Sequence, residues 1–441
     1  MTTTADAATP GDAEVPLLQQ RAFRSLTLVR LTARIASNAI NFALVLLIVD
    51  LTGLAFMSSL LVLALIIPGT VVGVTAGVIA DAFPKRPIIV MANLLRAGMC
   101  VLIAFQGESV VLYFSIAITL ASVSQFTSAA EGALVPAIVP KDRLARANAI
   151  NHGVTGLSQV IGFVILVPIT LRLFQSSEML FAAGALLFFM SAWYGMLIGR
   201  VPPVERMELG GDPGGPWWAV GYREIRRNPL VLRATIELTL ISGAVIIIGG
   251  IIPIYIQDTL RLPIEIGALV LMPAAVGILI GLRLAGFLAK HIQHGILSTT
   301  GFIGFVVLLL VVAFARPMSE FLEGYGALAW LLSINIGSFD GAGIVAMIAV
   351  LPAGFCYALV TVAAQTVLND QVALHLQGRV LATQAAFAAI ASSIPVLIAG
   401  AMTDIVGVTA VLATLALLIG AAAVANLKEP RRHIAQVVGA R

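Results

Sequence analysis

Apolar runs long enough to cross a bilayer recur along nearly the whole of this chain, and they leave little freedom in how it can fold. Bounded by charge, Gly or Pro, they cover approximately 26–50, 54–80, 88–106, 110–138, 149–171, 178–199, 230–256, 264–289, 296–315, 342–368, 380–403 and 407–427. Each is near the ~20 residues that a membrane helix needs. Strongly apolar residues make up 59% of the 441, and charged residues only 11%, too few to coat a soluble core of this size. Disorder, a coiled coil and a secreted disulfide scaffold are excluded by the same numbers. The expected fold is all-α: twelve transmembrane helices.

Twelve spans put both termini on one side. That side collects eighteen Lys and Arg, among them Arg21, Lys85, Arg86, Arg143, Arg223, Arg226, Arg227, Arg379 and Arg432, whereas the other side has only Arg172, Arg261 and Arg316. Basic residues gather in cytoplasmic loops, so cytosolic termini are expected. The net charge of +4 is then a matter of orientation rather than of nucleic-acid binding. Residues 1–22, with Asp6, Asp12 and Glu14, lack the basic-then-apolar order of a cleaved signal peptide and are expected to form a disordered cytoplasmic tail. Cys100 and Cys356 lie in apolar runs and read as small buried residues.

The longest cytosolic connection, rich in Gly, Pro and charge, divides the chain into six spans and six spans. The expected units are a bundle over 23–200, a linker over 201–228, a second bundle over 229–428 and a tail over 429–441. The linker ends in Tyr222-Arg223-Glu224-Ile225-Arg226-Arg227, which suits an interfacial helix. Residues 316–341, with Phe321, Leu322, Leu328, Trp330 and Leu331, suggest either a helix on the outer surface or an ordinary loop.

Ionisable groups inside a bilayer cost a few kcal/mol each, so each needs a reason. In the first span Thr27, Arg30, Arg34, Asn38 and Asn41 share one helical face. They face either an aqueous cavity or a buried polar seam. In the fourth span Ser124, Ser128 and Glu131 also share a face, at a depth that allows Glu131 to pair with Arg30 or Arg34. The seventh span holds Arg233 and Glu237 one turn apart; Glu237 pairs there or faces Arg283 of the eighth. The tenth carries a neutral stripe of Tyr357, Thr361, Gln365 and Asn369, suited to hydrogen-bonding a ligand. Polar faces thus fall on the first and fourth helices of each half, which indicates a repeat around a shared cavity. Expected substrate contacts are Arg30, Arg34, Asn38, Asn41, Ser128, Tyr357, Thr361 and Gln365. Glu131 and Glu237 are the candidates for carrying a proton, because dry surroundings favour a neutral carboxyl and a nearby Arg opposes that. His152 reads as interfacial. The sixth, ninth and twelfth spans are nearly uniform in apolar residues and read as a lipid-facing scaffold.

Gly77, Asp81, Lys85 and Arg86 form G-x-x-x-D-x-x-x-K-R after the second span. With this loop, the stretches Val49-Asp50-Leu51-Thr52-Gly53, Asn93-Leu94-Leu95-Arg96, Ala133-Leu134-Val135-Pro136, Arg227-Asn228-Pro229-Leu230, Gly378-Arg379-Val380 and Ala399-Gly400 with Asp404 and Gly407 give a specific set over residues 22–428. The chain resembles the major facilitator superfamily, and in its first half the branch of macrolide-efflux and enterobactin-exporter-like proteins. The resemblance implies two pseudo-symmetric six-helix bundles rocking about a central site in a functional monomer of the bacterial cytoplasmic membrane. It also implies an inner gate of Gly77, Asp81, Lys85, Arg86 and Arg379, in which Asp81 contacts the start of the eleventh helix. Many antiporters of the family carry G-x-x-x-G-P-x-x-G-G in the fifth helix; here Gly156 to Ile165 lacks the Pro and the final glycines.

The expected activity is secondary active export of an amphipathic or hydrophobic small molecule in exchange for protons. Substrate, protons and membrane lipids are the expected partners. A lipid or lysolipid flippase of the same fold, or a non-transporting membrane receptor or scaffold, are the alternatives. No G-x-x-x-x-G-K-[ST] loop, metal-spaced His/Cys cluster or nucleophile constellation occurs, so no enzyme activity, cofactor or metal is expected.

Overall fold

The structure is a computed structural model that describes residues 16–106, 109–140, 143–173, 176–199, 217–288, 291–324 and 340–438. Among them every regular element is helical. An apolar chain in lipid has no water to bond its backbone, and a helix satisfies each amide within its own segment.

The first bundle comprises α1 (Arg21–Thr52), α2 (Ala55–Ala82), α3 (Lys85–Gln106), α4 (Val110–Ile138), α5 (Leu144–Gln159) and α6 (Ser177–Leu197). A linker helix, α7 (Trp217–Arg227), follows. The second bundle comprises α8 (Pro229–Ile254), α9 (Ile264–Leu288), α10 (His294–Ala313), the short α11 (Ala315–Glu323), α12 (Gly341–Gln371), α13 (Leu374–Val406) and α14 (Val408–Val438). Ten of these segments are long and apolar enough to cross a membrane, and Val408–Val424 is a shorter apolar stretch. The remaining crossing is α5, whose helix runs on through π-helical turns at Val160–Leu166 and Ile169–Leu173.

Within the first bundle α1 packs on α5 and α6, α2 on α4, and α3 on α6. Within the second, α12 packs on α9 and α10, and α8 on α13. The bundles meet mainly where α2 lies against α8 and α13. Small residues allow the close approaches. A Cβ on Gly162, in the π stretch, would stand 3.0 Å from the Ile35 carbonyl and from Asn38 Cβ on α1. The π turns re-aim the helix locally, which is how such turns are used at functional sites. Gly53 ends α1 in the left-handed region (φ 67°), and its amide bonds the Val49 carbonyl.

The even number of crossings leaves the start of α1, the linker helix and α14's final turns on one face of the molecule, here the linker face. The opposite is the far face. The expected disordered tail ends earlier than residue 22: Leu17–Gln19 form a 3-10 turn, and Leu17 is buried with Phe23, Leu26 and Ile89. Residues 1–15 lie outside those described. At the other end the helix continues to Val438, into the segment expected as a cytoplasmic tail. Of the segment 316–341, the first part is helical as α11, and 325–339 lie outside the described residues. The linker helix is docked along α13: Ile225 is buried with Val231 and Val380, and the Tyr222 ring meets Phe387 edge-on at 6.1 Å.

Candidate functional site

Arg30 and Glu131 bring α1 and α4 together. Arg30 Nε donates to Glu131 Oε2 at 3.0 Å, and its Nη2 donates to the Glu131 backbone carbonyl at 2.9 Å. Both side chains are more than nine-tenths buried. Arg34 and Arg96 also act on this carboxylate electrostatically. Arg96, on α3, is buried beneath the Phe188 ring at 5.2 Å and donates a long bond to Asn93 Oδ1, while its Nε finds no partner among the described residues. One carboxylate therefore sits among three guanidiniums.

The polar face of α1 divides along its length. Thr27 is buried and donates to the Phe23 carbonyl, so it and Arg30 form a seam inside the bundle. Arg34 is exposed, and Asn38 and Asn41 are half-buried. Arg34 forms no hydrogen bond or ion pair among the described residues. One turn beyond Asn38, the Phe42 ring packs on Phe163 of the π stretch at 5.3 Å. On α4, Ser124 bonds its own helix and Ser128 is exposed. On α12, Tyr357 is half-buried, Thr361 donates to the Tyr357 carbonyl at 2.9 Å, and Gln365 is exposed. The α1 stripe is thus a buried seam at Thr27 and Arg30 and more open from Arg34 onward.

In the second bundle Glu237 is bound by Arg233 at 2.9 Å and by the Ser298 hydroxyl of α10 at 2.7 Å. Arg233, not Arg283, is its partner. Beside this pair lies a cavity of about 310 Å³, lined by Arg233, Glu237, His294, Asp370 and Gln371 among others. Arg283 is exposed on α9, one turn from Leu279, which packs on Gly156 of α5. It therefore lies on the α9 face turned toward the first bundle.

At the far face the two bundles are joined. Asp404, near the end of α13, accepts from the amides of Ala55 at 2.8 Å and Phe56 at 3.0 Å, the first residues of α2. A carboxylate at a helix N-terminus meets both free amides and the positive end of the helix dipole. Ser58 Oγ donates to the Gly250 carbonyl of α8. Ser59 fills the space that a side chain at Gly250 or Gly400 would need. Arg316 further ties the far ends of α8, α11 and α12 through the Thr259 carbonyl at 2.8 Å and Asp340 at 3.1 Å.

Of the expected gate, Gly77 has open space around it. Arg86 donates to the Met196 carbonyl, tying the start of α3 to the end of α6. Lys85 is half-buried and engaged. Arg379 lies under the linker helix, where a Cβ on Gly221 would stand 2.8 Å from its carbonyl; its Nη1 is buried without a partner among the described residues. The Asp81 side chain, and with it the expected Asp81 contact, lies outside the described residues, as does the His152 side chain.

Sequence reasoning missed the far-face contacts. Asp404 entered only as part of a motif, although an acid in the last turn of a helix, where the dipole disfavours it, is a signal for a partner on another element. Ser298 was hidden in a span that otherwise reads as lipid-facing. Ser58 and Ser59 offered no periodic signal.

The chain belongs to the Major Facilitator Superfamily, whose model matches residues 26–352. An uncharacterized MFS-type transporter of Bacillus subtilis (strain 168), YkuC, is 31% identical over 98 residues, a match that spans 22% of this chain and 23% of that protein. Among solved structures, the nucleoside transporter NupG aligns with TM-score 0.68 at 11% identity, covering 92% of this chain and 98% of that one. A bacterial homologue of the lysosomal transporter Spinster aligns at 0.65 and 12% identity, covering 92% and 96%. A bacterial homologue of the iron transporter ferroportin aligns at 0.57 and 16% identity, covering 91% and 98%. At these identities the likeness is one of fold. A multi-pass membrane transporter follows from the family.

Proposed function

We propose that this superfamily member is a proton-coupled secondary transporter that carries an amphipathic small molecule by alternating access, with Glu131 as the coupling carboxylate. The observation that carries this reading is the buried Arg30–Glu131 pair between α1 and α4, with the unpaired Arg34 one turn from Arg30. A static bundle gains little from a buried ion pair, because desolvation offsets the attraction. A transporter can use one, because a ligand group that takes the arginine frees the carboxylate to accept a proton. Asn38, Asn41, Ser128, Tyr357, Thr361 and Gln365 would supply neutral contacts along the path.

In this reading the linker face is cytosolic, in a bacterial cytoplasmic membrane, and the protein works as a monomer. The contacts of Asp404 and Ser58 join the bundles at the far face, which supports a central path that opens toward the cytosol. The inner gate of Gly77, Asp81, Lys85, Arg86 and Arg379 would close in the opposite state. Export in exchange for protons requires substrate and proton to compete at Glu131. Uptake with protons requires them to bind together.

The test is flux in proteoliposomes with an imposed pH gradient, using amphipathic carboxylates, lipophilic cations, macrolide-like compounds and lysolipids. Gradient-dependent movement should be lost in Glu131→Gln and kept in Glu237→Gln, since Glu237 is held within its own bundle by Arg233 and Ser298. Movement of lysolipid alone, indifferent to the gradient and to both substitutions, would replace this reading with a lipid flippase.

A further inference from the structure

The charges inside the spans do not balance. Arg30, Arg34, Arg96, Arg233 and Arg283 stand four or more residues inside the ends of the apolar spans; among acids of the described spans only Glu131 and Glu237 do. Both acids are already bound, Glu131 by Arg30 and Glu237 by Arg233. Three guanidiniums are left over. Arg96 is buried under Phe188, whereas Arg34 and Arg283 are exposed, one from each bundle, with no hydrogen bond or ion pair among the described residues. Each such charge is expensive to keep in a membrane and marks a ligand pathway by default.

The geometry around Arg34 adds the second half of the argument. Eight residues further along α1, roughly 12 Å at 1.5 Å per residue, Phe42 and Phe163 form an aromatic wall. Asn38 and Asn41 stand between. Arg283 shares the face of α9 that carries Leu279 onto Gly156, so it stands on the side of the second bundle turned to the first. A cation on the facing side of each half, neutral amides and an aromatic pair are the parts that a site with one charged and one apolar end needs.

We propose that the path between the bundles takes an amphipathic organic anion, its carboxylate, sulfonate or phosphate held between Arg34 and Arg283 and its apolar body against Phe42 and Phe163. Guanidinium forks match such oxyanions in shape and charge. This deepens the transporter reading and rests on it. A lipophilic cation meets the wrong charge here, because neither carboxylate is free.

The test is equilibrium binding to the full-length protein in zwitterionic nanodiscs. The probes are 11-(dansylamino)undecanoate, its neutral primary amide and its trimethylammonium analogue, followed by dansyl fluorescence. The carboxylate should bind at least ten-fold tighter than either of the others. Arg34→Gln and Arg283→Gln should each weaken the carboxylate about ten-fold and leave the amide unchanged. Both positions are exposed, and an unchanged melting temperature confirms that the fold is intact. Displacement of the carboxylate by lysophosphatidylglycerol, and not by lysophosphatidylcholine, would support the proposal and assign the anion to a lipid. Displacement by neither would support it and assign a free organic anion. Equal binding of the three probes, preference for the ammonium, no binding by any, or indifference to both substitutions would overturn it. Because binding is read without a gradient, absent flux with intact anion binding counts against the transporter reading and leaves this one standing.

Discussion

Asp404 caps Ala55. The carboxylate near the end of α13 accepts the Ala55 amide at 2.8 Å and that of Phe56 at 3.0 Å, so an acid of one bundle closes the first turn of a helix in the other. Helices α2 and α13 run in opposite directions, so α2 ends on the linker face, where α13 begins. The acid near the end of each helix is thus at the face where the other helix begins.

Asp404→Asn removes the charge and keeps the shape. Charge-assisted bonds to a helix N-terminus are worth about 1–2 kcal/mol in partly buried geometry. The substitution should shift the equilibrium toward the state open at the far face by roughly 5- to 30-fold at 1.4 kcal/mol per factor of ten. Spin-label distances between the far ends of α2 and α13 report it: the long-distance population grows. An unchanged distribution would make Asp404 a local cap with no part in gating.

A different balance governs Arg30 and Glu131. Removing one member of a buried pair leaves a bare charge and costs about 3–5 kcal/mol, whereas replacing both by apolar residues can be neutral. Arg30→Ala should therefore lower the melting temperature far more than the Arg30→Met/Glu131→Leu double substitution. The double variant should be stable and inactive. Thermal unfolding in detergent, with flux on the same samples, separates the two effects; a double variant as unstable as Arg30→Ala would mean that the pair is needed for folding.

The apolar runs made most of the fold legible, because in lipid the length of a run and the helix are nearly the same information. Arg233 and Glu237 at helical spacing, and Arg30 opposite Glu131 at matching depth, were legible for a similar reason: few ions lie in the spans, so candidate partners are few. What was not legible was contact between bundles. Ser59 against Gly400, or Asp404 against Ala55, depends on how two rigid bodies lean, and that leaves no period in either helix. The choice of Arg233 over Arg283 for Glu237 also turned on rotation about the helix axes.

Glycine substitutions should divide sharply. A Cβ on Gly281 would meet Ala358 Cβ at 2.6 Å and the Phe355 carbonyl at 3.0 Å, forcing α9 off α12, whereas Gly77 has nothing within 4 Å. Gly281→Ala should destabilise by about 1–3 kcal/mol, the usual range for overpacking. Gly77→Ala should leave stability unchanged, so any loss of flux there reflects the gate. Melting curves of the two variants, compared with flux, check both statements.

The last prediction concerns how protons and substrate are linked. The charged groups bearing on Glu131 are Arg30 and Arg34 from α1 and Arg96 from α3. An anion that draws Arg30 or Arg34 to itself leaves the buried carboxylate less compensated, and it takes up a proton. Linkage is reciprocal, so protonation must strengthen anion binding by the same factor. Affinity for the dansyl carboxylate should rise as pH falls, over a range where the probe itself stays ionised, and a pH indicator should register proton uptake on binding. Glu131→Gln should make the affinity independent of pH. Proton and anion would then travel together, and a gradient acid outside would drive uptake into the cell. Proton release on binding would reverse the sign and restore export by exchange.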